Sequence, residues 1–194
     1  MTKQEVMNNI RYNENLVNQY SRELTNLRNK LNNCNSRLSG YNTQIEQLRK
    51  KLKETQSQIA ELDQLVKKFT TLQNNFSSRQ TQRTSRLNSS FQGLKFSFIK
   101  SYVAGMGDLL GGSEYKSVFN GLKQALEKVE GRRNTGSNDA ERIQNDINSV
   151  SRSIDSVRGE ISSFNSQINQ KNSDLSYRRQ RITYWKNQLK YATD

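Results

Sequence analysis

The sequence predicts an all-α fold: an elongated antiparallel helical hairpin, or coiled coil, with a small helical head at a glycine-rich turn. Three observations predict it. Apolar residues recur at heptad spacing over both ends of the chain, there is no proline, and four of the ten glycines crowd into Ser101–Lys116. With 31% hydrophobic residues and a quarter of its 194 residues charged, the chain is too polar to enclose a large globular core. Disorder would carry no periodicity, and this chain is periodic.

The first helix announces its start with Thr2 and Glu5, the spacing of a capping box. From there one row runs Ile10, Val17, Leu24, Leu31, Leu38, Ile45, Leu52, Ile59 and Val66, all apolar. Its companion runs Val6, Asn13, Tyr20, Leu27, Cys34, Tyr41, Leu48, Thr55, Leu62 and Phe69, with Asn13 and Thr55 frankly polar. A repeat of seven sustained this long predicts a left-handed coiled coil. The C-terminal third repeats it in Ile147, Ile154, Ile161, Ile168, Leu175, Ile182 and Leu189, beside Ile143, Val150, Val157, Phe164, Lys171, Arg178, Trp185 and Ala192. Only Lys171 and Arg178 break that pattern. Asn138 with Glu141 reads as a fresh helix start, which makes Gly131–Gly136 a joint.

Two seams in one chain predict an intramolecular pair, because the covalent connection lowers the entropy cost of meeting. Antiparallel pairing brings Val6 and Ile10 towards Leu189 and Trp185. The expected organisation is a single elongated helical domain, 1–194, with a stalk of about 3–76 against 138–192 and a head of about 87–131. In the head, Phe91, Leu94, Phe98 and Tyr102 follow one helix face, widened by Phe96, Ile99, Val103 and Met106. Leu109 and Leu110 close that run. Ser113 is then the expected N-cap of a further helix carrying Tyr115, Val118, Phe119, Leu122, Leu126 and Val129. Gly105, Gly107, Gly111 and Gly112 form the predicted turn between the two, since glycine reverses a chain through positive φ.

Chemistry is sparse. No histidine is present, Cys34 is the one cysteine, and acidic residues stand singly, so no catalytic residue, metal site or cofactor is expected. Gly105-Met106-Gly107 and Gly111-Gly112 lack the lysine and hydroxyl residue of a phosphate loop. Cys34 lies on a seam and is expected to pack as a small apolar group. No apolar run has signal-peptide or membrane-span length, so the expected localisation is cytoplasmic, with any export taking a route that cleaves no signal peptide.

Net charge is +13, from 31 Lys and Arg against 18 Asp and Glu. Such a balance raises nucleic acid or another acidic surface as a partner. Most of this charge reads as solvated helix face, and Tyr177-Arg178-Arg179-Gln180-Arg181 offers too few rings for base stacking. A head richer in apolar side chains than two helices consume points instead to a helical protein partner, through Phe91, Leu94, Phe98, Tyr102, Leu109, Leu110, Tyr115, Phe119 and Leu122. A basic structural or nucleic-acid-binding coiled coil is the alternative.

Within Phe91–Val129, the run Tyr102-Val103-Ala104-Gly105-Met106-Gly107-Asp108-Leu109-Leu110 leading into Gly112-Ser113-Glu114-Tyr115 resembles the WXG/LXG superfamily of type VII secretion. More narrowly, it is similar to the small helical proteins encoded beside LXG toxins in Gram-positive bacteria. That resemblance implies a non-catalytic targeting factor that binds the helical LXG domain of a toxin, with another small helical protein and the membrane-embedded secretion ATPase as further partners. The turn lacks the Trp-x-Gly of the superfamily, and no Tyr-x-x-x-Asp/Glu export signal is present. Phe91-Gln92-Gly93-Leu94-Lys95 and Phe119-Asn120-Gly121-Leu122-Lys123 share one spacing and stand as a candidate recognition element.

Overall fold

A computed structural model describes residues 1–193. It is all-α, as the heptads predict: α1 spans Lys3–Ser90, α2 Ser97–Gly111 and α3 Ser113–Gln188, followed by a short 3-10 turn at Leu189–Tyr191. Helices pair antiparallel as a hairpin. By contact the chain divides into two units, one joining Met1–Leu48 to Asp146–Asp194 and the other comprising Arg49–Asn145.

In the first unit the capping box forms in both directions. Thr2 N–H donates to Glu5 Oε2 at 2.9 Å, and Glu5 N–H donates to Thr2 Oγ1 at 3.3 Å. At the other end Lys3 N–H donates to the Thr193 carbonyl at 3.0 Å, which ties α1's beginning to the chain beyond α3. Ion pairs then climb one helix as they descend the other: Glu14 with Lys186, Glu23 with Lys171, Arg37 with Glu160. Exposed pairs of this kind add little stability in water but fix which residues face one another. Burial supplies the rest. Val6 and Val157 are wholly inaccessible, and Ile45, Val150 and Ile154 form a core against Leu38, Tyr41 and Leu48. Each such aliphatic side chain contributes about 1.5–3 kcal/mol relative to exposure.

Every residue of both predicted seams is at least half-buried, the polar exceptions Asn13, Thr55, Lys171 and Arg178 included. Thr55 satisfies itself, its hydroxyl donating to the Lys51 carbonyl at 2.9 Å. The other three answer each other across the pair. Arg178 Nη1 donates to Asn13 Oδ1 at 3.3 Å, and Lys171 reaches Glu23 at 2.7 Å with its ammonium 4.5 Å from the centre of the Tyr20 ring.

The second unit is a thinner pairing. No residue between 49 and 142 is fully buried. Arg133 pairs with Asp63, Gly136 lies against Ile59, Phe76 stacks on Tyr115 at 5.0 Å between ring centres, and Phe91 meets Tyr102 at 5.6 Å. These contacts run in one antiparallel register. The chain therefore reverses between α1 and α2, at Phe91–Phe96, and α2 and α3 both return alongside α1.

That geometry corrects four expectations. The first concerns the turn, which belongs to Gly93, the one residue of the described chain with positive φ, at 86°. Gly105, Gly107 and Gly111 lie inside α2, and Gly112 alone interrupts the return, with a φ of −78°. Second, Phe91 and Leu94, expected on one helix face with Phe98 and Tyr102, precede α2 and lie in the reversal, since α1 runs unbroken to Ser90 and α2 starts at Ser97. Third, Gly131–Gly136 is no joint and Asn138 caps nothing, because α3 runs through both. Glycine weakens a helix by about 1 kcal/mol but keeps its N–H, so packing can carry the helix across it. At Gly136 the missing side chain is used: a Cβ there would come to 3.1 Å from Ile59 Cγ1. Fourth, Ser113 is the first helical residue and not the cap; the Gly112 carbonyl accepts from Lys116 N–H at 3.1 Å.

Candidate functional surface

α2 has two apolar sides. Ile99, Val103, Met106 and Leu110, at helical spacing, are half-buried on the side that meets the pair. Phe98, Tyr102 and Leu109 share an adjoining side, about a quarter-turn round the helix, and are 70%, 52% and 62% exposed. Within the chain that second side meets the ring of Phe91 at Tyr102 and that of Phe96 at Phe98, yet all three side chains stay more than half exposed. Of the face read as Phe91, Leu94, Phe98 and Tyr102, the last two share a side of α2 and the first two lie outside it, while Leu110 joins the inward side and Leu109 the outward one.

Around Gly112 the backbone is tightly held. Its N–H donates to the Asp108 carbonyl at 2.6 Å, and a Cβ on this residue would overlap that same carbonyl. The constraint is close approach and not handedness. It lets α3 begin one residue after α2 ends, directly beside Phe76 and Gln80 of α1.

Beside this junction lies a groove of about 360 Å³. Its apolar lining is Phe76, Leu109, Leu110, Tyr115 and Val118, and its charged lining is Arg79, Arg83 and Glu114. Tyr115 stacks on Phe76 within the groove and also on Phe119, at 6.0 Å, which lies beyond its lining. Val118, 52% exposed, was read only as part of a helical face; its place at the groove follows from how α3 leaves Gly112 alongside α1. A second groove of about 350 Å³, nearer the reversal, is lined by Phe91, Leu94, Ile99 and Val103.

The structure thus brings Leu109, Leu110 and Tyr115 together, with Phe119 adjoining, and separately brings Phe91, Leu94 and Tyr102 together. Leu122 is half-buried a turn beyond Phe119, and Phe98 stands outside both grooves against Phe96 at 5.9 Å. The two Phe-x-Gly-Leu-Lys copies do not form a shared element: Gly93 sits in the turn with positive φ, whereas Gly121 is an ordinary helical residue of α3.

The basic knot near the C-terminus is occupied by its own aromatic neighbours. Arg178 lies over the rings of Tyr12 and Tyr177, and Arg181 over those of Tyr184 and Trp185, at 5.0 to 5.9 Å. Trp185 is half-buried on its seam. Cys34 is buried, its thiol donating to Glu160 Oε2 at 3.4 Å while Arg37 holds the same carboxylate. Among the described residues no cluster of three metal-ligating side chains occurs, and no helix is long and apolar enough to cross a membrane.

No family model, curated protein or solved structure matches this chain.

Proposed function

We propose that this chain is a non-catalytic interaction protein that binds a helical partner along the outward side of α2 and the opening turns of α3. The partner that the resemblance around Tyr102–Tyr115 implies is the helical LXG domain of a type VII secretion toxin, whose export the chain assists. One observation carries the reading: α2 keeps Phe98, Tyr102 and Leu109 in solvent although its other side already supplies the internal packing. A partner helix that covered these side chains would gain about 1.5–3 kcal/mol for each one fully buried, and the adjoining groove would accept an anchoring side chain.

The alternative of a basic nucleic-acid-binding coiled coil has less support. In its best candidate, the Arg178–Arg181 knot, two of the three guanidiniums, those of Arg178 and Arg181, are engaged with Tyr12, Tyr177, Tyr184, Trp185 and Asn13. Arginines so engaged are poorly placed to neutralise phosphates. Another small helical protein and the secretion ATPase remain part of the proposal as companions of the same assembly, with the chain acting from the cytoplasm and leaving, if it leaves, uncleaved.

Co-expression of the tagged chain with the LXG domain encoded nearest to it, eluted at high salt, tests the reading. A stoichiometric complex that Leu109→Asp with Val118→Asp abolishes, while circular dichroism stays unchanged, is the expected result. Recovery of nucleic acid alone, lost as salt rises, would favour the alternative.

A further inference from the structure

We propose that the reversal between α1 and α2 is a membrane-contact tip, in which Leu94, Phe96 and Phe98 enter an anionic lipid surface while Arg86, Lys95 and Lys100 face its headgroups. Leu94, Phe96 and Phe98 are 45%, 61% and 70% exposed, and the rings of Phe96 and Phe98 pack on each other at 5.9 Å instead of on the helices. They stand within five residues of one another on the outside of a chain reversal. A cluster of that kind in water is unfavourable unless something apolar receives it.

Charge identifies the receiver. Between residues 64 and 107 the chain carries seven Lys and Arg and no Asp or Glu, while 18 acidic residues are spread over the remainder. Arg86 is exposed near the end of α1, Lys95 within the reversal and Lys100 in the first turn of α2, so three exposed cations flank the apolar cluster along the chain. Apolar tips flanked by one sign of charge suit anionic bilayers, where rings enter the headgroup boundary and Lys or Arg side chains remain in the polar layer. A bilayer surface has no fixed shape and needs no groove. A protein helix does need one, and Phe96 and Phe98 line neither the groove between Phe76 and Leu109 nor the one that Leu94 edges. A second copy is disfavoured as occupant because it would set two tips of like charge against each other. No described helix is long and apolar enough to cross the bilayer, so the contact is peripheral.

This inference does not rest on the LXG reading, since it concerns Leu94 and Phe96, whereas the partner surface centres on Leu109 and Val118. Phe98 stands where the two surfaces meet and is left intact in the test. The full chain is sedimented with vesicles of phosphatidylcholine alone and of phosphatidylcholine with an equal part of phosphatidylserine. Binding to the anionic vesicles only, weakening as salt rises, is expected. Leu94→Ser with Phe96→Ser should lose about tenfold or more in vesicle affinity with helix content intact, and Lys95→Glu with Lys100→Glu should lose it as well. Leu109→Asp with Val118→Asp should bind vesicles like the parent chain. Equal binding to both vesicles, no binding to either, or anionic binding indifferent to Leu94 and Phe96 would overturn the proposal. So would capture of an acidic amphipathic peptide through Leu94 and Phe96 without any vesicle binding.

Discussion

Arg178 donates from Nη1 to Asn13 Oδ1 at 3.3 Å, joining a polar exception of one apolar seam to a polar exception of the other. Asn13 is only 4% exposed, and its amide also donates to the Asn9 carbonyl at 2.8 Å. A hydrogen-bonded polar pair in a seam fixes register, because a slip by a heptad sets Arg178 against Val6 or Tyr20 and breaks the bond. Asn13→Leu alone should therefore destabilise the chain by about 1–3 kcal/mol, by leaving the guanidinium without its acceptor. Asn13→Leu combined with Arg178→Leu should recover most of that loss and acquire self-association. Urea unfolding and light scattering measure the two effects.

Cys34 has a different kind of isolation. Burial raises its pKa, and the neighbouring Glu160 carboxylate, to which the thiol donates, raises it further. The folded chain thus holds a neutral thiol across the neutral range, and the stability tied to that state is fully present below the unfolded thiol's value of about 9.0 and is lost as pH rises from there through the raised pKa. Alkylation of the native chain at mildly alkaline pH should be slower than in denaturant by roughly a hundredfold or more, since reaction requires local opening. Mass spectrometry of quenched samples follows both rates.

Acid should loosen the first unit. Hydrogen bonds from Arg37, then from Cys34, hold Glu160 below the usual glutamate range, and Lys171, then Gln19, do so for Glu23. A carboxylate with a lowered folded pKa contributes stability that is fully present above its unfolded value, about 4.5, and is lost as pH falls through the folded pKa. Thermal midpoints should accordingly be flat from neutral pH to about pH 5 and fall below about 4.5. Glu160→Gln should lower the neutral midpoint slightly and flatten that acid fall. Both pairs are partly exposed, so added salt should narrow the difference.

Glycine substitutions separate the turn that was expected from the one that exists. Gly105→Ala and Gly107→Ala meet open space inside a helix and should stabilise by about 0.5–1 kcal/mol each. Gly93→Ala must hold a positive φ and should cost about 1–2 kcal/mol. Gly112→Ala would drive a methyl group into the Asp108 carbonyl and should cost about 1–3 kcal/mol or straighten the junction. Differential unfolding of the four variants ranks them.

How far this was legible depends on where packing is periodic. Heptad spacing alone located the seams, because buried positions such as Val6, Ile45, Ile154 and Val157 repeat whatever lies beyond the pair. The reversal was obscured because Phe91-Gln92-Gly93-Leu94-Lys95-Phe96 reads as an apolar helix face, and its exposure follows from a thin layer that no single position reveals. Gly105 to Gly112 looked like a turn on composition, yet Ile99, Val103, Met106 and Leu110 hold that segment helical through their shared side. Gly136 looked like a joint until Ile59 was found opposite it. Of the candidate surface, the aromatic positions were readable, but Arg79 and Val118 join it only through how α3 leaves Gly112 alongside α1.

Hydrogen exchange on the chain alone and in complex with the LXG domain tests the central claim most directly. The account predicts added protection over Ser97–Gly111 and the first turns of α3 to about Leu122, with residues 13–45 and 150–178 unchanged. Protection confined to the outer faces of 13–45 and 150–178, with Ser97–Gly111 exchanging as before, would contradict it.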